Sequence, residues 1–137
     1  MSLETRVSIA EAEQLVKEAF LRNGVKEAVA VSVSTALVAA EAEGQVGHGF
    51  SRVKDYVAQV KSKKINVDAK IKIEHPKPTS ISIDADYGFA YPALDQAISE
   101  GALIAKEYGS AIVSIFNSHH CGALSVQVEK IANQGLI

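Results

Sequence analysis

The spacing of apolar residues predicts that the first half of the chain is helical. Apolar residues recur at helical intervals over residues 9–20, directly after a capping-box pattern at Ser8–Glu11. Residues 26–43 are apolar around most of a helix circumference, although their many β-branched residues would also suit a strand. We expect this second helix to be covered by other elements or by a partner subunit. A short third helix is predicted over residues 53–60.

The second half alternates between strand and helix patterns. Isoleucines alternate with polar residues in segments 71–73 and 81–83, which predicts two half-buried strands. Two prolines in residues 74–79 predict a loop between them that neither helix nor strand crosses. A helix is predicted over about residues 92–109. The apolar run 111–116 that follows is typical of a strand covered on both faces.

These elements predict an α/β protein in which a helical N-terminal segment precedes a mixed sheet with covering helices. We assign residues 1–62 to the helical segment and residues 63–137 to the start of an α/β domain. A last helix is expected over about residues 123–133, followed by an apolar stub where a new strand would begin. The second domain is therefore expected to be incomplete.

The composition of the chain limits the kinds of molecule that it is expected to bind. The 137 residues carry 14 Lys+Arg against 16 Asp+Glu, a net charge of −2 that gives no electrostatic reason to bind nucleic acid. The single cysteine, Cys121, cannot form an internal disulfide, which indicates a reducing compartment. Neither a secretory signal nor an apolar run long enough to span a bilayer is present. We expect a cytoplasmic protein that binds neither nucleic acid nor membrane.

The glycine-rich segment 44–49 is the first candidate site. It places His48 between two glycines and four residues before Arg52. Such glycines allow unusual backbone conformations and bring a ligand close to the main chain. If the next helix begins near Gly49, Arg52 and Tyr56 share one face of it. An imidazole, a guanidinium and a phenol in this arrangement would suit a small carboxylate with an adjacent hydroxyl or carbonyl.

Each of these side chains also has a structural alternative. His48 can act as an acid or base near neutral pH, or it is a helix-terminus histidine that happens to lie between glycines. Arg52 can bind a carboxylate bidentately, or it is a surface arginine paired with Asp55 or Glu43 at little energetic gain.

The second candidate site is the loop 117–122, Asn-Ser-His-His-Cys-Gly. It follows the carboxyl end of a predicted buried strand, where open α/β sheets hold ligands. We expect His119 or His120 to be functional; the alternative is that both bond nearby carbonyls. No metal site is predicted, because three consecutive ligand types rarely converge on one ion and no spaced second pair exists. A metal-dependent hydrolase is therefore the weakest functional alternative.

The two segments together resemble the malate/L-lactate dehydrogenase family, which also contains sulfolactate, ureidoglycolate and diketogulonate dehydrogenases. The resemblance is carried by Gly-His-Gly-x-x-Arg-x-x-x-Tyr at residues 47–56 and by the loop 117–122. It covers nearly the whole chain and implies the family's fold rather than a conventional Rossmann fold. It also implies NAD or NADP as cofactor, a homodimer, and hydride transfer between a small 2-hydroxy acid and its 2-oxo acid. Family members are much longer, so the chain is expected to be an N-terminal portion only.

The resemblance also implies residue roles. His48 and His120 would be catalytic acid/base residues, with Arg52 binding the substrate carboxylate and Tyr56 also in the substrate site. His120 would lie beside substrate and nicotinamide. We favour His120 as the base in the oxidation direction, with His48 orienting the substrate or donating a proton. Most cofactor contacts are expected beyond residue 137.

Two departures from the family pattern qualify these roles. Gly47 stands where many members have a serine, and Cys121 stands where an aromatic residue is common. The remaining alternative is a non-catalytic fragment or association domain that binds at most a small anion at Arg52.

Overall fold

The computed structural model describes residues 5–137, and eight helices and strands follow one another in this part of the chain. The helices are α1 (Ile9–Leu21), α2 (Glu27–Ala42), α3 (Ser51–Lys61), α4 (Ala90–Tyr108) and α5 (Leu124–Ala132). The strands are β1 (Lys72–Lys77), β2 (Ser80–Asp84) and β3 (Ile112–Phe116). The predicted α/β class, with a helical segment before a mixed sheet, is confirmed.

The N-terminal helices form where capping and apolar spacing predict them. The Ser8 hydroxyl accepts the Glu11 N–H at 3.2 Å, and the Glu11 carboxylate accepts the Ser8 N–H at 2.8 Å, so the capping box is present. Helix α2 packs against α1, α4 and α5, which explains how so apolar a helix is covered within one chain. No helix within residues 5–137 combines the length and apolar character needed to cross a membrane.

The sheet has the strand order β1-β2-β3, with β1 antiparallel and β3 parallel to β2. A parallel pair requires a crossover connection, and α4 supplies it between β2 and β3. Ile81 and Ile83 of the central strand are buried against Ala93 and Ala97 of α4. Because β2 and β3 are parallel and in register, their carboxyl ends lie side by side at the same end of the sheet.

The prediction of a loop at residues 74–79 was wrong, because β1 continues through Pro76 to Lys77. Proline is tolerated here since β1 is an edge strand and its register with β2 shifts between Glu74 and Lys77. The strand is also more exposed than predicted, with only Ile73 partly buried.

The prediction that β3 is covered on both faces was also wrong. Val113 and Ile115 pack with the buried residues of β2 and α4, whereas Ile112 is 72% exposed and Phe116 48% exposed. The reason is that α4 covers only the face that carries Val113 and Ile115, and in the described part of the chain the opposite face of β3 stays exposed.

The largest hydrophobic cluster joins the helical segment to the start of the sheet region. Phe20 of α1 meets the ring of Phe89 edge to face, with centroids 5.7 Å apart, and Phe89 meets Tyr56 of α3 at 5.8 Å. Ile65 and Tyr91 belong to the same cluster. The division predicted between residues 62 and 63 stays a prediction, and the packing runs across it.

Truncation of Phe20 tests how much this cluster contributes to the stability of the fold. Phe20 is fully buried, so Phe20→Ala should lower the free energy of unfolding by about 3–5 kcal/mol through lost burial and the cavity left behind. Leu15→Ala on the same helix is the control, because Leu15 is 60% exposed and its loss should cost about 0.5 kcal/mol or less. Denaturant unfolding measures both, and equal losses would contradict the assignment of the core.

Candidate active site

His48 lies in the turn between α2 and α3. Gly44, with φ +79°, ends α2, and the His48 N–H then donates to the Gln45 carbonyl at 2.8 Å. Because α3 begins at Ser51, His48 precedes the helix by three residues rather than opening it.

The glycines flanking His48 have different roles. A Cβ on Gly49 would lie 2.9 Å from the Glu41 Cα, so the close approach predicted there exists, but its partner is α2 rather than a ligand. A Cβ on Gly47 would meet nothing within 4 Å. The Glu41 carboxylate accepts the Phe50 N–H at 2.8 Å and thereby fixes the chain just before α3.

Arg52 lies in the first turn of α3, and its guanidinium contacts neighbouring residues through Nε and Nη1. Its Nε donates to the Gly47 carbonyl at 2.6 Å, and Nη1 lies 3.5 Å from the Asp55 carboxylate. The predicted pairing with Asp55 is therefore present, and an exposed pair of this length contributes little energy. The two terminal nitrogens can still bind a carboxylate end-on.

Tyr56, one turn further along α3, points into the protein and is 2% exposed. Its hydroxyl lies 3.0 Å from the Tyr91 hydroxyl on α4 and 2.8 Å from Nδ1 of His120. Burial raises the pKa of both phenols above the ordinary tyrosine value, so both stay protonated at neutral pH. The three polar groups form one line from α4 through α3 to the loop after β3.

The loop after β3 is held by the turn after β2. The Asn117 side chain donates to the Asp84 carboxylate at 3.1 Å, and the Asn117 carbonyl accepts the Tyr87 N–H at 2.7 Å. Hydrogen bonds from the Asp86 N–H and from Asn117 lower the pKa of Asp84, so this carboxylate stays ionised. The turn predicted at residues 84–88 thus supports the histidine loop.

The structure brings the two predicted catalytic histidines together. The rings of His48 and His120 are stacked, with centroids 5.6 Å apart and planes inclined by 17°. Of the histidine pair in the loop, His120 is the more exposed residue, whereas Nε2 of His119 is buried with no hydrogen-bond partner among residues 5–137. His48, His120 and Arg52 therefore line the same open region, with Tyr56 beneath His120.

The electrostatics of this region favour a neutral His120. Partial desolvation lowers the pKa of His120 below its ordinary value of 6.5, and the electrostatic effects of Arg52 and then of His48 lower it further. Nδ1 of His120 also accepts the Gly122 N–H at 3.2 Å.

Sequence reasoning missed Tyr91, and it included Gly122 in the histidine loop without a role of its own. Gly122 has φ +72°, and a Cβ there would lie 2.5 Å from the Tyr91 hydroxyl. Tyr91 is 35 residues from its partner Tyr56, and nothing in the local sequence pairs them. The only available signal was Gly122 itself, as the last residue of the histidine loop.

A carboxylate lies beside the helix terminus that is nearest to the histidine loop. The N-terminal turn of α5 could face phosphates, but the Glu43 carboxylate lies there and accepts the Ser125 hydroxyl at 2.9 Å. Within residues 5–137 no group of three or more His, Cys, Asp or Glu is placed to hold a metal ion.

Comparison with known proteins identifies relatives along almost the whole chain. The model of the malate/L-lactate dehydrogenase family matches residues 7–137. The chain is 36% identical over 131 residues to a (2R)-3-sulfolactate dehydrogenase (NADP(+)) of Chromohalobacter salexigens, covering 96% of this chain and 39% of that protein. It is 33% identical over 136 residues to a Δ1-pyrroline-2-carboxylate/Δ1-piperideine-2-carboxylate reductase of Pseudomonas putida, covering 99% and 40%.

A solved structure shares the same architecture. The crystal structure of Δ1-piperideine-2-carboxylate reductase from Pseudomonas syringae pv. tomato superposes with a TM-score of 0.92 at 31% identity, covering 96% of this chain and 40% of that one. The chain thus spans about 40% of the length of the relatives that it matches, as the resemblance predicted. On the family match, the sequence identity and the shared fold, the chain belongs to the malate/L-lactate dehydrogenase family.

Proposed function

We propose that this chain supplies the substrate-binding and acid/base residues of an NAD(P)-dependent oxidoreductase. The observation that carries the proposal is the stacked pair of His48 and His120 beside the guanidinium of Arg52. Relatives named as a sulfolactate dehydrogenase and as pyrroline-carboxylate reductases support it, because both names describe small carboxylates. The substrate proposed is a small 2-hydroxy acid of the malate or lactate type, interconverted with its 2-oxo acid.

The roles follow from charge and hydrogen-bonding capacity. In reduction, a 2-oxo acid, NAD(P)H and one proton give the 2-hydroxy acid and NAD(P)⁺, and the hydride belongs to the cofactor. Arg52 binds the substrate carboxylate through its terminal nitrogens, since Nε is held by the Gly47 carbonyl. His48 and His120 hold the substrate oxygen and the proton that it gains or loses. The homodimer implied by the resemblance stays a prediction, and α2 gives it no further support, since α2 packs against α1, α4 and α5 of this chain.

A second candidate is a chain that binds the carboxylate but does not turn it over alone. The coverage of about 40% of each relative and the Glu43 carboxylate beside α5 favour this reading for the isolated segment. Titration with NADH and NADPH separates the two candidates: cofactor binding with 2-oxo-acid reduction supports the enzyme, and carboxylate binding alone supports the second.

Arg52→Lys should weaken carboxylate binding roughly 10- to 100-fold, because a compact ammonium cannot reproduce the planar fork. The measurement is an NMR titration of the chain with pyruvate or oxalate. Arg22→Lys is the matched control, since Arg22 is an exposed arginine paired with Glu18 on α1. Equal carboxylate affinity in the two variants would contradict the assignment of Arg52 as the carboxylate-binding residue.

His120→Ala should reduce turnover by roughly 10²- to 10⁴-fold, the usual contribution of a positioned acid/base group. The assay follows NAD(P)H absorbance with 2-oxo acids in the form of the protein that turns over. His75→Ala serves as control, because His75 lies on the edge strand β1, paired with Glu100 at 3.1 Å. Normal kinetics in His120→Ala would refute the assignment.

The protonation of His120 should follow the electrostatics of the site. Because burial, the Arg52 guanidinium and the neighbouring His48 all disfavour the charged ring, His120 should remain neutral as pH falls through 6.5 and gain its proton only at lower pH. Replacing Arg52 with glutamine should raise that midpoint, since one positive charge is removed. NMR titration of the His120 ring measures both, and a wild-type midpoint at or above 6.5 would contradict the geometry.

A further inference from the structure

The hydrogen bonds around His120 determine which of its nitrogens carries the proton. We propose that Tyr56 and Tyr91 are positioning residues that hold neutral His120 as the Nε2–H tautomer, so that its ring offers a hydrogen-bond donor to the substrate. That the acceptor is a substrate carbonyl rests on the proposed function. The tautomer itself rests only on the contacts within this chain.

The first argument comes from the backbone. The Gly122 amide donates to Nδ1 of His120 at 3.2 Å, and a peptide N–H can only donate. If Nδ1 were protonated, two hydrogen-bond donors, the Gly122 N–H and the His120 Nδ1–H, would face each other. The position of Gly122 requires Nδ1 to keep its lone pair.

The second argument comes from the buried phenols. Tyr91 is 1% exposed, and the partner that the described residues offer its hydroxyl is Tyr56. A buried O–H without an acceptor is costly, so Tyr91 donates to the Tyr56 oxygen. The Tyr56 proton is then directed at Nδ1 of His120, 2.8 Å away.

Both ends of the line therefore impose one direction, from Tyr91 to Tyr56 to His120. The reverse direction would place the proton on Nδ1 of His120, turn the Tyr56 hydroxyl toward Tyr91, and leave the Tyr91 O–H without an acceptor among residues 5–137. It would also set the Gly122 N–H against the new Nδ1–H.

Two functional consequences follow. When Nδ1 accepts a hydrogen bond, neutral His120 carries its proton on Nε2, and Nε2 then has no lone pair with which to take a proton from the substrate. The base role favoured for His120 in oxidation therefore requires both hydrogen bonds, between Tyr91 and Tyr56 and between Tyr56 and His120, to reverse direction. Tyr56 is 2% exposed and its hydroxyl already has two partners, which favours a positioning role over the direct substrate contact predicted from the sequence.

The test is ¹⁵N NMR of the histidine rings in the 137-residue chain, without substrate or cofactor, at a pH where His120 is neutral. Wild-type His120 should show a protonated Nε2 and an unprotonated Nδ1. In Tyr56→Phe the ratio of the Nε2–H to the Nδ1–H tautomer should fall roughly 3- to 10-fold, the equivalent of one hydrogen bond. Tyr91→Phe should give a smaller fall, because Tyr56 keeps its own proton but loses the donor that directs it.

Tyr108→Phe is the matched control, since Tyr108 lies on the same helix as Tyr91 and is 54% exposed. It should leave the ratio unchanged. A wild-type ring protonated on Nδ1 would overturn the proposal without recourse to any variant, even if Tyr56→Phe failed to fold. A Tyr56→Phe ratio equal to that of Tyr108→Phe would overturn it as well.

Kinetics separate positioning from substrate contact. In the form that turns over, Tyr56→Phe should lower kcat and leave KM for the carboxylate substrate within about twofold, because Tyr56 acts through His120. A rise in KM at unchanged kcat would mean direct substrate binding and would overturn the positioning role. If the tautomer is as proposed and no 2-oxo acid is reduced or bound, the proposed function fails and the hydrogen-bond line stands.

Discussion

The need to satisfy two buried hydroxyl groups governs the geometry of the site. Tyr91 and Tyr56 are almost fully buried in a hydrophobic cluster, where an unpaired O–H would cost roughly 1–3 kcal/mol. Their shared hydrogen bond continues to His120, so that one polar line joins α4, α3 and the loop after β3. The position of the imidazole is thus fixed by the same packing that holds the helices together.

Charge is distributed around that line in a complementary way. Arg52 carries the positive charge on the exposed side, tethered through Nε to the Gly47 carbonyl. Both phenols and the His120 ring remain neutral on the protein side, because burial opposes their ionisation. An anionic ligand would therefore meet the Arg52 guanidinium and two imidazoles, and the Asp55 carboxylate beside Nη1 of Arg52 offsets part of that positive charge.

Local patterns predicted most of the fold, and contacts distant in sequence account for what they missed. The capping box at Ser8 and the five helices were readable because spacing and caps act within a few residues. The continuation of β1 through Pro76 could not be predicted from the local sequence, because it depends on β1 being an edge strand of the sheet. The exposure of one face of β3 likewise depends on which elements lie beside it.

The candidate site shows the same division. His48, Arg52 and His120 were identified from motif and residue chemistry, and the structure places them together. Their support by Tyr91 could not be predicted, since it joins residues 35 positions apart on two different helices.

The contact between Gly122 and Tyr91 has a consequence for how this segment can evolve. A side chain at position 122 would need both a left-handed backbone and the space now filled by the Tyr91 hydroxyl. A smaller residue at position 91 would remove only the steric overlap, and the left-handed backbone at position 122 would still disfavour any residue larger than glycine. Glycine at position 122 is therefore required by the backbone and by the packing of Tyr91 independently.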